Sequence, residues 1–221
     1  MSRRQLVYLH GFASSPRSSK ARLFGDRAEA AGWGYTCPDL NLPDFATLTV
    51  SRMIDQAEAA IAACGPGPVA LVGSSLGALV AIHAADRRLA RGAMAPVDRL
   101  VLLAPALDLV PSLEEEFGPA RMAQWQRSGL LPVFHYGDDA MKELGWGFMA
   151  DARAYDSDAV QLGVPLLVYQ GRRDELVSPQ SVERWAATRP EVTLRMVDDG
   201  HQLLGHVDSM WADVERFLGG D

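Results

Sequence analysis

Short runs of consecutive apolar residues alternate along this chain with longer runs in which apolar positions recur at helical spacing. Gln5–Leu9 reads as a first strand. Lys20–Ala31 has helical periodicity, with Leu23, Ala28 and Ala31 available for one face and Gly32 to stop it. Tyr35–Cys37 is a short strand before a Pro38-to-Pro43 loop, and Val50–Cys64 is an amphipathic helix closed by Gly65-Pro66-Gly67-Pro68. Val69–Val72 predicts a buried strand, Leu76–Arg88 a helix, and Leu100–Leu103 the next strand. After a long gap come a strand at Val164–Tyr169, a helix at Pro179–Thr188, a strand at Val192–Val197 and a closing helix at Leu203–Leu218. Strands alternating with helices of this length predict an α/β fold, a mostly parallel sheet of six or seven strands covered on both faces.

The gap breaks the rhythm. Between Leu103 and Val164 no buried strand is evident, and an excursion of that length inside a compact domain is usually functional. Seven of the 17 aromatic residues fall in it: Phe117, Trp125, Phe134, Tyr136, Trp146, Phe148 and Tyr155. The segment at about 107–162 is therefore expected to be a helical, apolar lid over a pocket, with Trp125, Tyr136, Trp146 and Phe148 as candidate substrate contacts. A lid also needs packing of its own, so the same aromatics serve as a small satellite core.

The 221 residues suit one domain, 1–221, with an ordinary 48% apolar and 22% charged content. A net charge of −7 argues against a nucleic-acid surface, which needs a basic stripe. The apolar neighbourhood from Val69 to Ala85 is interrupted by Gly73, Ser74, Ser75, Gly77 and His83, so no membrane span is expected. The apolar stretch after Met1-Ser2-Arg3-Arg4 is too short for a signal-peptide core. Cys37 and Cys64 lie in different elements and read as two reduced thiols of a cytoplasmic protein. Nothing in the chain matches a phosphate-binding loop, a dinucleotide fingerprint or a zinc-ligand cluster, and no cofactor is expected.

Chemistry enters at Gly73-Ser74-Ser75-Leu76-Gly77, a G-x-S-x-G pentapeptide between a predicted strand and a predicted helix. In such a nucleophile elbow small residues flank a serine whose hydroxyl is pushed out above the sheet edge. A serine hydroxyl needs a base, and the base an orienting partner. Two further strand ends supply them: Val164–Gly171 runs into Arg172-Arg173-Asp174-Glu175, and Val192–Val197 into Asp198-Asp199-Gly200-His201. Ser75, Asp174 and His201 thus stand as candidate nucleophile, acid and base on one rim, with Glu175 as the alternative acid. His83, His135 and His206 are read as packed or surface residues. The oxyanion amides are assigned to Leu76, after the nucleophile, and to Phe12, in the His10-Gly11-Phe12 loop after the first strand. His10 is read as a structural residue bonding that loop's backbone. In Ala13-Ser14-Ser15-Pro16-Arg17-Ser18-Ser19-Lys20, Ser14 and Ser15 are possible substrate contacts, while Arg17 and Lys20 are expected to be solvated.

Tyr8-Leu9-His10-Gly11-Phe12, Ser14-Ser15-Pro16, Ser18, Lys20 and Val72-to-Gly77 resemble the small bacterial YqiA/YcfP-type esterases of the α/β-hydrolase superfamily. Around Trp125, Gly129, Pro132, Tyr136 and Phe148-to-Ala152 the lid looks more like those of monoacylglycerol-lipase-like hydrolases and abhydrolase-type depalmitoylases. The resemblance implies an α/β-hydrolase fold and esterase activity on a short acyl ester, with a thioester as the alternative substrate and a non-catalytic binding module as the reading from another class. Acyl length and oligomeric state do not follow from it.

Overall fold

Side chains alternate across the central strands of the computed structural model, which describes residues 3–92 and 97–219; the outermost residues of the expected 1–221 domain, Met1 and Ser2 included, lie outside the described residues. Among the described residues eight strands and seven α-helices follow in order: β1 (Gln5–Leu9), α1 (Ser19–Ala30), β2 (Gly34–Thr36), α2 (Val50–Ala63), β3 (Val69–Ser74), α3 (Leu76–Ala90), β4 (Val97–Leu103), α4 (Leu109–Ser128), β5 (Leu130–His135), β6 (Ala140–Gly145), α5 (Gly147–Ala152), β7 (Leu166–Gly171), α6 (Pro179–Ala187), β8 (Val192–Val197) and α7 (Val207–Gly219). Six of the strands form one parallel sheet in the order β2-β1-β3-β4-β7-β8.

The period of two in the strands sorts the core into two layers. Val7, Leu9, Leu71, Leu100, Leu102 and Val168 face Met53, Ile54 and Ile61 of α2, Leu79 and Ile82 of α3, and Val182 and Trp185 of α6. Leu6, Tyr8, Val72, Val101, Leu103 and Tyr169 face Phe24 and Ala28 of α1 and Met210, Trp211 and Val214 of α7. Covering on both faces is why these strands read as unbroken apolar runs. The helices start where the sequence offers an oxygen to the orphan amides: Ser18 accepts from Ala21, Thr49 from Arg52 and Ser178 from Ser181.

The register aligns the carboxyl ends of the strands. Leu9 pairs with Gly73, Gly73 with Leu102, Leu103 with Tyr169, and Gly171 with Val197. The loops after β1, β3, β7 and β8 therefore open on the same edge, where ligands gather in parallel α/β sheets.

The lid segment differs from the expectation of an all-helical insertion. It begins as α4, kinked at Gly118-Pro119, continues as an antiparallel hairpin of β5 and β6, and ends in the short α5. Trp125, Leu131, Leu144, Phe148 and Met149 are buried and join the core on the α2/α3 side, so the lid is packed onto the body. Among the described residues no helix is long and apolar enough to cross a membrane.

Candidate active site

The elbow is built by a strained serine between two forced glycines. Ser75 sits at φ 54°, ψ −118°, a conformation that costs a non-glycine residue about 1–3 kcal/mol and persists only when its surroundings over-determine it. Here they do: the Ser75 amide donates to Leu103 O at 2.9 Å, and its carbonyl accepts from Ala78 N at 2.9 Å and Ala106 N at 3.3 Å. A Cβ on Gly73 would stand 2.4 Å from Gly77 O, and one on Gly77 would stand 2.0 Å from Leu9 O. The pentapeptide spacing thus records how closely α3 and β1 approach the turn.

Ser75 occupies the N-cap position of α3, yet its side chain makes no capping bond, unlike Ser18, Thr49 and Ser178 at their helices. Its hydroxyl is left for other work, and the first amides of α3, Leu76 foremost, remain at the positive end of the helix dipole. On the β1 side, His10 pins the loop that presents Phe12. Its Nδ1 donates to Gly11 O at 3.0 Å and its Nε2 accepts from Leu40 N at 3.0 Å, with Asp39 Oδ1 3.6 Å away. The Phe12 ring is held between Phe45 and Phe148, at 5.6 and 5.5 Å between centroids.

The loop after β7 brings a carboxylate to an imidazole. His201 Nδ1 lies 2.9 Å from Asp174 Oδ2 and 3.1 Å from its Oδ1. Asp174, not the exposed Glu175, makes this contact. Asp174 Oδ1 also accepts from the Leu176 and Val177 amides, each at 2.9 Å, and Oδ2 from Gln170 Nε2 at 3.0 Å. Burial by itself pushes the Asp174 carboxyl up, but the bonds from His201, Val177 and Leu176 outweigh it and hold the group below its ordinary value. The carboxylate stays ionised and commits Nδ1 of His201 to carry a proton, which leaves Nε2 free to accept one.

Ser75, Leu76, Phe12 and His201 line one cavity of about 770 Å³. Leu109, Leu113, Phe117, Trp125, Val133 and Phe148 give it an apolar wall; Ser14, Ser15, Ser18, Ser19 and Lys20 give it a polar one. The sequence-based lid candidates divide. Trp125 and Phe148 lie on the apolar wall, each 1% exposed, and Tyr136 stands at the mouth, 75% exposed. Trp146 does not reach the cavity: it packs edge-on behind Trp125, 5.2 Å between centroids. Ser14 and Ser15 lie beside Phe12.

Sequence reasoning misplaced Lys20. It was expected in solvent but is buried on the cavity wall. A signal was available, since Lys20 shares a helix face with Phe24 and Ala28, both fully buried. Arg17 is exposed and pairs with Asp138 at 3.3 Å. His206 lies in a 3₁₀ turn ahead of α7, half-buried against Asp199 at 3.2 Å, rather than inside the last helix. His83 and His135 are both buried. Among the described residues no group of His, Cys, Asp or Glu could hold a metal ion.

A family model matches residues 5–217. The chain belongs to the uncharacterised protein family UPF0227. No curated protein matches the sequence of this UPF0227 member. Among solved structures it is similar to an Agrobacterium vitis S4 protein named provisionally as a hydrolase: 26% identity, TM-score 0.88, covering 98% of this chain and 88% of that one. The α/β hydrolase domain-containing protein 10 from mouse is 19% identical with a TM-score of 0.79, covering 97% and 89%. Est1E from Butyrivibrio proteoclasticus, solved with ferulic acid bound, is 16% identical with a TM-score of 0.80, covering 97% and 88%. The UPF0227 chain has the α/β-hydrolase fold.

Proposed function

We propose that this protein is a serine hydrolase that cleaves a carboxylic ester through an acyl-enzyme on Ser75. The observation that carries the reading is the Asp174–His201 pair, 2.9 Å apart, whose imidazole lines the same cavity as a serine held at the strained elbow. Ser75 Oγ attacks the acyl carbon while Nε2 of His201 takes its proton, and Asp174 holds the imidazole tautomer and offsets the positive charge that develops. The amides of Phe12 and Leu76 receive the negative charge that builds on the carbonyl oxygen; one such donor contributes about 3 kcal/mol to lowering a barrier of this kind. Collapse breaks the acyl–oxygen bond, and His201 returns the proton to the departing alcohol. Water, deprotonated by the same nitrogen, then releases the carboxylic acid and restores Ser75. The apolar wall fits a small or medium acyl or aryl group. The free thiols of Cys37 and Cys64 fit a reducing, cytoplasmic setting.

The test is hydrolysis of p-nitrophenyl esters. Ser75→Ala should lower kcat by about 10⁴-fold or more, and a fluorophosphonate should label the wild type stoichiometrically at Ser75. Full activity in the Ser75→Ala protein would overturn the reading. Matched esters and thioesters of one acyl chain establish which leaving atom is preferred.

A further inference from the structure

Of the lysine and arginine side chains that line the cavity, Arg17 is exposed and paired with Asp138 and Arg121 is exposed and stacked on Phe117, whereas Lys20 is buried and ester cleavage leaves it without a task. Its side chain enters from the first turn of α1, with only 9% of the residue exposed. Burying an ammonium is costly unless a partner answers it. Yet among the described residues Lys20 makes no hydrogen bond and no ion pair, and the carboxylates whose charge it feels, Asp174 and Asp199, lie farther off.

Both carboxylates are already served. Asp174 is bonded by His201, Gln170 and the Leu176 and Val177 amides. Asp199 is bonded by the Gly200 and Gly205 amides at 2.8 and 2.9 Å and by His206. Burial draws the Lys20 ammonium down to about 8, against the pull of these two acids. A largely buried cation on the cavity wall, whose nearest anions are otherwise engaged, is poised to take an anion that arrives in the cavity.

Its place within the cavity says which part of a substrate would bring that anion. Asp174 holds His201, and Asp199 precedes it by two residues, so Lys20 lies on the His201 side. That side receives the leaving group, because His201 protonates it. The lining from α4 and α5 includes Leu109, Leu113, Phe117 and Phe148, apolar side chains that suit an uncharged acyl chain, beside the exposed Glu116 and Arg121. The chain leading to Lys20 also lines the cavity, with Ser14, Ser15, Arg17, Ser18 and Ser19; the Ser15 and Ser18 hydroxyls already accept the Arg17 and Ala21 amides.

We propose that Lys20 binds a carboxylate or phosphate carried by the substrate's leaving group, making it the residue that selects anionic esters. This rests on the esterase reading of the same cavity.

Three acetate esters with one acyl group test it: 3-acetoxybenzoate, 3-acetoxyphenyl phosphate and the neutral methyl 3-acetoxybenzoate. Lys20→Met should lower kcat/KM about tenfold or more on one or both anionic esters, chiefly through KM, and less than threefold on the neutral one. Lys20→Arg should recover much of the loss. Which anionic ester suffers identifies the anion as carboxylate or phosphate. Equal losses on all three, or none, would overturn the proposal.

Calorimetric titration of the Ser75→Ala protein with 3-hydroxybenzoate, 3-hydroxyphenyl phosphate and methyl 3-hydroxybenzoate separates binding from turnover. An anion bound tenfold more tightly than the neutral phenol supports the site, even if Lys20→Met does not fold; no preference overturns it. If no ester is cleaved and Ser75 takes no fluorophosphonate, the esterase reading fails while the titration still reports on Lys20.

Discussion

Asp174 Oδ2 stands 2.9 Å from His201 Nδ1 and also accepts from Gln170 Nε2 at 3.0 Å, so a single oxygen receives two N–H groups. Asp174→Asn would either turn an NH₂ against these donors or give up the Leu176 and Val177 amides at Oδ1. The expected outcome is a loss of about 10³–10⁴-fold in kcat on p-nitrophenyl esters, from an imidazole in the wrong tautomer. Fluorophosphonate labelling of Ser75 should slow in parallel, and circular dichroism should show the fold retained.

The same carboxylate predicts a pH dependence of stability. Asp174 titrates below the ordinary 3.8 in the folded protein, since the bonds from His201 and the two amides outweigh its burial. A group depressed on folding adds stability that is complete above its unfolded value and is lost as pH falls through the folded one. Urea unfolding of wild type and Asp174→Asn should therefore show a constant difference above about pH 5. That difference should shrink steadily once the pH drops below 3.8. A difference that grows on acidification would contradict the assignment.

Gly77→Ala tests the packing behind the elbow. The added Cβ would lie 2.0 Å from Leu9 O and 2.7 Å from His10 O, both backbone atoms with no rotamer to yield. Moving β1 away from α3 should cost at least about 3 kcal/mol of stability. It should also remove esterase activity, because the Phe12 loop moves with the strand. Chemical denaturation and kcat together check both parts.

The alternation of buried strands and helices, and the three strand ends bearing Ser75, Asp174 and His201, were legible because a doubly covered parallel sheet leaves uninterrupted apolar runs. The β5–β6 hairpin was not. In β5 only Leu131 and His135 are buried while Leu130 and Phe134 are exposed, and Pro132 sits in mid-strand, so its pattern fits no two-sided strand. The turn signal was present in Gly137-Asp138-Asp139, where Asp139 takes φ 50°. Lys20 was hidden by its charge: a lysine defaults to solvent, and only its helical spacing from Phe24 pointed inward.

His10→Ala probes the loop behind the Phe12 amide. Leu40 N–H would lose its acceptor in a buried setting and Gly11 C=O its donor. A cost of about 1–3 kcal/mol in stability is expected. Because His10 holds the loop rather than touching substrate, kcat should fall about tenfold with the pH–rate profile unmoved, an outcome that a role as general base would not give.

Trp125 ties the hairpin to α4, since its indole N–H donates to Leu144 O at 3.0 Å while the ring packs edge-on against Trp146. Trp125→Phe keeps most of the apolar contact but leaves a β6 carbonyl without that donor, at a cost of about 1–3 kcal/mol. If the lid is seated by this bond, amide exchange should accelerate in Leu130–His135 and Ala140–Gly145 and stay unchanged in β3 and β7. Trp125 also lines the acyl wall, so KM for longer acyl esters should rise more than KM for acetates. Equal effects on both would assign Trp125 to the lid's packing alone.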